Sequence, residues 1–195
     1  MRKIACVDLF CGAGGLTHGF VLEGLPVVAG IDMDPACRFP YEANNQARFI
    51  ERDISTVNES ELAALFGDAE VKILAGCAPC QPFSTYAQRY SLDGNGKWGL
   101  LYEFARLAKG TRPDVITMEN VPTVAKHAVF HDFVDTLEKL GYHVWHGVVD
   151  SSQYGVPQAR RRMVLLASLY GKIEIIPLTR EKPKTVREAI GRLRP

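Results

Sequence analysis

The sequence predicts an α/β fold: a mostly parallel, twisted sheet with helices on both faces. Three observations carry that prediction. Apolar segments of strand length alternate with segments of helical pattern along most of the chain. Several strand segments are nearly continuous in Val, Ile, Leu and Ala, as strands buried on both faces are. The glycines and reactive side chains gather at the strand ends, where open α/β sheets bind their ligands.

In chain order, the first strand spans 3–8 (KIACVD), and a glycine-rich turn leads into a helix near 15–23. The second strand, 26–32 (PVVAGID), precedes a helix near 35–46, and a shorter strand pattern at 48–53 (RFIERD) precedes a helix near 59–66. The strand at 71–76 (VKILAG) runs into the longest non-periodic stretch, 77–97, and long loops in compact domains are often functional. A helix near 99–109, a strand at 113–120 (PDVITMEN) and a helix near 127–140 follow. Strands at 142–150 (YHVWHGVVD) and 161–169 (RRMVLLASL) complete the sheet. Parallel connections of this kind cross over right-handed.

The 195 residues suffice for one substantial domain. We assign 1–176 to it and 177–195 to a basic tail. Hydrophobic residues make up 47% and charged residues 23%, as in ordinary globular chains. No apolar run approaches the ~20 residues that span a bilayer, and "MRKIACVDLF" does not read as a signal peptide. No membrane association and a cytoplasmic location are expected. The five cysteines, Cys6, Cys11, Cys37, Cys77 and Cys80, show no framework spacing and are read as free thiols. The net charge of +1 is uninformative, but Arg160, Arg161 and Arg162 are consecutive and the tail is rich in Lys and Arg. Local basic clusters on a near-neutral body suit a polyanion bound at one face; a solvated surface is the plainer reading of the tail.

The strand ends carry the chemistry. The first ends in "DLFCGAGGLTHGF", where Asp8 closes the strand and Gly12, Gly14 and Gly15 let backbone approach a ligand. Asp32 closes the second strand twenty residues after Gly12, a spacing suited to hydrogen bonding ribose hydroxyls. A nucleoside cofactor is indicated. The turn reads G-x-G-G, and Asp8 beside it opposes a pyrophosphate and favours a cationic group. A sulfonium with an amino-acid tail fits, pointing to S-adenosyl-L-methionine, with Phe10 or Met33 at the adenine.

The fourth strand leads into Gly76-Cys77-Ala78-Pro79-Cys80-Gln81-Pro82-Phe83-Ser84. Proline fixes φ and restricts the preceding residue, so Cys80 is stiffly held. A held thiol serves as metal ligand, redox partner, nucleophile or small buried hydrophobe. Cys77-x-x-Cys80 lacks the following helix of a redox pair and the second ligand pair of a zinc site; no metal is expected. Cys77 is read as a packing residue. The strand at 113–120 places Glu119 and Asn120 at the rim. In "SSQYGVPQARRRMVLLAS", Gln158, Arg160 and Arg162 alternate, and in extended chain i and i+2 share a face. Such arginines bind phosphate or carboxylate; an edge-strand salt bridge to the tail's glutamates is the alternative.

"DLFCGAGGLTHGF", "GCAPCQPFS", "MENVP" and "QYGVPQARRR" occur in this order and spacing, and together they resemble the motifs of the DNA (cytosine-5)-methyltransferases over nearly the whole chain. The resemblance implies a Rossmann-like S-adenosylmethionine-dependent methyltransferase fold, duplex DNA as substrate and extrusion of the target cytosine. It implies Cys80 as nucleophile, Glu119 at the cytosine ring edge, and Arg160 and Arg162 near base and backbone. It implies Asp8, Phe10, Gly12, Gly14, Gly15, Asp32, Met33, Asp53, Ile54, Pro79 and Leu101 around the cofactor. Met33 departs from the large aromatic common at that position. Gln81, Ser84, Asn120 and Gln158 fall in the segments that meet the substrate.

The chemistry of these residues agrees. A thiolate adding at C6 of cytosine puts electron density on C5, which can then attack a sulfonium methyl. A protonated carboxyl at N3, from Glu119, offsets the ring's negative charge. The target atom is unreachable in a stacked duplex, hence base flipping.

The family usually continues past the arginine segment into a target-recognition region. Because this chain stops at Pro195, we expect a catalytic half completed by a C-terminal fragment or subunit, poorly active alone. A catalytically silent scaffold and an RNA cytosine methyltransferase are the alternative functions.

Overall fold

A computed structural model describes residues 2–79, 99–176 and 185–193. The strands are β1 (Ile4–Leu9), β2 (Val27–Asp32), β3 (Arg48–Glu51), β4 (Val71–Gly76), β5 (Val115–Asn120), β6 (His143–Asp150) and β7 (Arg161–Ser168). The helices are α1 (Gly15–Leu22), α2 (Arg38–Asn45), α3 (Glu59–Leu65), α4 (Gly99–Thr111), α5 (Ala128–Lys139) and the short α6 (Val186–Ile190). Each segment read from the sequence as strand or helix is present within a few residues of its expected bounds.

The seven strands form one sheet in the order β3-β2-β1-β4-β5-β7-β6. β1 to β5 pair in parallel, whereas β7 inserts antiparallel between β5 and β6. The order reverses direction between β1 and β4, so the switch point lies at their carboxyl ends. Hydrophobic runs alone do not reveal the antiparallel strand: a strand flanked on both sides has the same apolar composition in either direction. β7 is therefore an interior strand, which corrects the edge-strand alternative for its arginines.

Period-two alternation divides the β1 side chains between two layers. Ala5, Val7 and Leu9 enter the larger core with Leu74, Phe104, Ile116, Phe130 and Phe133, beneath α3, α4 and α5. On the other face, Asp8 reaches Thr17 of α1, whose hydroxyl also meets that of Tyr41 from α2. Tyr41 anchors a second, smaller cluster with Cys11, Ala47 and Phe49. At about 25 cal/mol per Å² of buried apolar area, these fully buried rings and aliphatic side chains supply the main folding drive. No helix among the described residues is long and apolar enough to cross a membrane.

Candidate active site at the carboxyl edge of the sheet

Register determines which side chains meet. Gly30, Asp8, Ala75 and Thr117 lie level across β2, β1, β4 and β5. Two residues further on, Asp32, Cys77 and Glu119 share a face, whereas Phe10, at a positive φ past the end of β1, turns to pack against the main core. Glu119 lies opposite Val164 of β7, so Arg162 shares that face two positions along. β2, β4, β5 and β7 thus each deliver a polar or reactive residue to one rim, and β1 adds the apolar Phe10.

The turn after β1 is shaped by backbone conformations that favour glycine. Gly12 and Gly14 have φ of 52° and 91°, and Phe10 itself sits at φ 57°. A Cβ on Gly14 would come within 2.3 Å of Asn45 Nδ2 and 2.8 Å of the Tyr41 ring. The Gly12 N–H donates to Asp32 Oδ2 at 2.9 Å, and the Asp34 N–H donates to Asp32 Oδ1 at 3.0 Å. The turn and the acid at the end of β2 are therefore bonded into one unit. Gly15 opens α1.

Beside this unit lies a cavity of about 150 Å³ lined by Phe10, Asp32, Met33, Arg52, Ile54, Cys77 and Pro79. Five of these, Phe10, Asp32, Met33, Ile54 and Pro79, are residues the sequence placed at the cofactor. Asp53 lies between two lining residues, and its Oδ1 accepts from the Ser55 N–H and hydroxyl at 2.9 and 2.8 Å, forming the turn that carries Ile54. Leu101 is buried in the main core, the cluster to which Ile54 also belongs.

Asp8 lies a layer behind the cavity lining, 1% exposed. Its Oδ2 accepts from Thr17 Oγ1 at 2.7 Å, and its Oδ1 is buried without a hydrogen-bond partner. Burial, opposed by the Thr17 bonds and aided by the nearby Asp32 charge, raises its pKa to about 7.

Glu119 and Arg162 form an ion pair, Oε1 to Nε 2.8 Å, with side chains 33% and 21% exposed. Cys77 adjoins both carboxylates: burial first, then Asp8 and Glu119, push its thiol well above the ordinary range. A thiol so placed stays protonated. Cys77, read from the sequence as a small packing residue, also lines the cavity and borders Glu119. Neither Cys77 nor Arg52 was singled out as a site residue. Cys77 was legible in retrospect from strand register, being two residues past Ala75.

Asn120 is buried, and its amide spans the gap to the preceding strand end. Nδ2 donates to the Ala78 carbonyl at 3.0 Å, and Oδ1 accepts from the Val121 N–H at 2.7 Å. This fixes the backbone one residue before Pro79. Gln158 and Arg160 are exposed just before β7. The Arg160 carbonyl accepts from the N–H and hydroxyl of Ser151 at 2.9 and 3.0 Å. Cys80, Gln81 and Ser84, together with most of 77–97 and the start of the tail, lie outside the described residues. Among the described residues, no three His, Cys, Asp or Glu side chains form a group that could hold a metal ion.

The family model for C-5 cytosine-specific DNA methylases matches residues 4–194. A Type II methylase from Herpetosiphon aurantiacus, M.HgiDII, is 54% identical over 194 residues, covering 97% of this chain and 54% of the relative. The Type II methyltransferase M.HindV of Haemophilus influenzae is 33% identical over 192 residues, covering 95% of this chain and 62% of the relative. The chain thus spans little more than half the length of these relatives. Among solved structures, the Dnmt2 methyltransferase of S. pombe superposes with a TM-score of 0.72 at 23% identity, over 89% of this chain and 52% of that one. At that identity the likeness concerns the fold.

Proposed function

The chain belongs to the C-5 cytosine-specific DNA methylase family, and from that premise we propose that it transfers a methyl group from S-adenosyl-L-methionine to C5 of a cytosine extruded from duplex DNA. Relatives named as Type II methyltransferases suggest a modification role beside a restriction activity. The observation that carries the reading is the row Asp32, Cys77 and Glu119 on one face of the rim, extended by Arg162, with Phe10 lining the same cavity as Asp32 and Cys77.

The residues around the cavity fit the cofactor. Asp32, tied to the Gly12 N–H, is placed at the strand end for ribose hydroxyls. Phe10, Met33 and Ile54 give the lining an apolar surface for a purine. Gly12 and Gly14 let the turn approach a ligand without side-chain interference. The Asp8 carboxyl, buried behind the turn, places negative charge toward the cationic end when ionised. When bound, the cofactor supplies the methyl group as an electrophile.

The chain's own residues do the rest. Cys80, as thiolate, adds to C6 of the cytosine; the Sγ–C6 bond forms and the C5–C6 π pair moves onto C5. Glu119 meets the N3 edge and stabilises the charge that addition puts on the ring. Arg162 holds the Glu119 carboxyl in place, and Asn120 holds the backbone that leads to Pro79 and Cys80. After transfer, loss of the C5 proton and expulsion of Cys80 restore the aromatic ring. Arg160 and the exposed Gln158 make the phosphate and base contacts, and Gln81 and Ser84 complete the substrate side.

The test is methyl transfer from labelled S-adenosylmethionine to duplex DNA, with transfer RNA in parallel and nucleoside digestion of the products. Label in 5-methyldeoxycytidine is expected. Label confined to RNA, or to an exocyclic amine, contradicts the proposal.

A further inference from the structure

The family resemblance points to Asp53 and Ile54 but passes over their neighbour Arg52. We propose that Arg52 is a ligand-contacting residue of the cavity, its guanidinium plane covering the purine base of the nucleoside cofactor; this rests on the cofactor reading above. Arg52 lines the cavity together with Met33 and Ile54, the apolar residues next to Asp32. Its N–H donates to the Asp32 carbonyl at 2.9 Å, so its backbone is fixed beside the acid that would hold the ribose. The base attached to that sugar must then lie near Arg52.

Among the described residues, the guanidinium is held by its edge. Nη2 lies 3.5 Å from both Glu61 carboxylate oxygens, and Nε lies 3.3 Å from Thr56 Oγ1, with the side chain 46% exposed. Contacts this long and this exposed contribute little energy. All five donors of a guanidinium lie in its plane, so edge contacts leave its faces for stacking. Arginine is weakly hydrated and stacks on aromatic faces, as lysine cannot. The surroundings disfavour an anionic ligand: Asp32 lines the same cavity and Glu61 pairs with Arg52. A neutral aromatic base satisfies both the cation and the apolar lining.

Calorimetric titration of the full chain with S-adenosylhomocysteine and with adenosine tests this in wild type, Arg52→Ala, Arg52→Lys and Glu61→Gln. Arg52→Ala is expected to weaken both ligands by the same factor, about tenfold, in the range of a desolvated cation–π contact. Arg52→Lys is expected to recover less than half of that loss on a logarithmic scale. Glu61→Gln, which removes the surface ion pair but keeps the helix cap, is expected to stay within about twofold of wild type. Melting temperatures of the ligand-free variants are expected to match. Arg52→Ala binding as wild type, full rescue by lysine, or an equal loss in Glu61→Gln overturns the inference while leaving the cofactor reading intact. So does preferential, Arg52-dependent binding of adenosine 2′,5′-bisphosphate over adenosine. Failure of wild type to bind either nucleoside overturns the cofactor reading and this inference with it.

Discussion

Glu119 of β5 and Arg162 of β7 meet at 2.8 Å across an antiparallel pair in an otherwise mostly parallel sheet. The two are not directly opposite. Glu119 faces Val164, and the guanidinium reaches back diagonally from two residues along, a distance long side chains can span. Inserting β7 antiparallel therefore delivers a cation to the carboxyl edge, where a parallel strand would have presented its other end.

Removing that cation tests its role. Arg162→Ala is expected to lower the methyl-transfer rate about a hundredfold, within the range assigned to a positioned acid or base. Affinity for S-adenosylhomocysteine should change little. Because the pair is partly exposed, thermal stability should fall by less than about 1 kcal/mol. A wild-type rate in this variant would remove Arg162 from the machinery.

Asp8 gives a pH signature. Its native carboxyl titrates at about 7, against an ordinary 3.8, because burial disfavours its charge. The folded state thus holds this proton more tightly than the unfolded state. The contribution is fully present below about 3.8 and is lost as pH rises through about 7. Asp8→Asn keeps an acceptor for Thr17 and cannot ionise. Urea midpoints at pH 5 and pH 8.5 should therefore converge in the variant relative to wild type, through a relative gain at pH 8.5. An unchanged difference between the two midpoints would refute the assignment.

The glycine turn tolerates no side chain at position 14. Gly14→Ala drives a Cβ into Asn45 and the Tyr41 ring at a φ of 91°, which should cost about 1–3 kcal/mol. Denaturant unfolding measures the loss, and cofactor affinity should drop with it. Gly15→Ala meets nothing within 4 Å and should be tolerated.

Asn120 separates chemistry from binding. Asn120→Ala leaves the buried Ala78 carbonyl without its partner, a cost of about 1–3 kcal/mol. The segment leading to Pro79 loosens, whereas Asp32 and the glycine turn do not depend on it. Steady-state kinetics should show a kcat reduced at least about tenfold. S-adenosylhomocysteine affinity should shift less than about threefold. A loss confined to affinity would contradict this division of labour.

The sequence made the elements legible because burial leaves a periodic trace. Ile4–Leu9 and Val71–Gly76 are apolar almost throughout, and glycine marks the sharp turn between β1 and α1. Asp32 and Met33 could be placed because they lie at or just past the end of β2, whereas Ile54 was legible only through the family resemblance. What stayed hidden was pairing. The direction of β7 and the partnership of Arg162 with Glu119 depend on residues 43 positions apart, and local composition carries no record of them. Cys77 read as packing because its neighbour Glu119 comes from another strand. Asn120 read as a substrate contact, and its amide also clasps Ala78, a backbone contact that no motif encodes. Asp8 read as a cofactor-binding residue, and its carboxyl also accepts from Thr17 of α1, a pairing that no motif encodes.

The central claim is that a thiol at position 80 attacks a cytosine held at this rim. Duplex DNA carrying 5-fluorocytosine blocks the final elimination, so the protein–DNA adduct should persist and be visible by intact mass. With S-adenosylmethionine present, an adduct is expected for wild type and for Cys77→Ala. It should be absent for Cys80→Ala and strongly reduced for Glu119→Gln. An adduct that survives Cys80→Ala, or that requires Cys77 instead, would contradict the account.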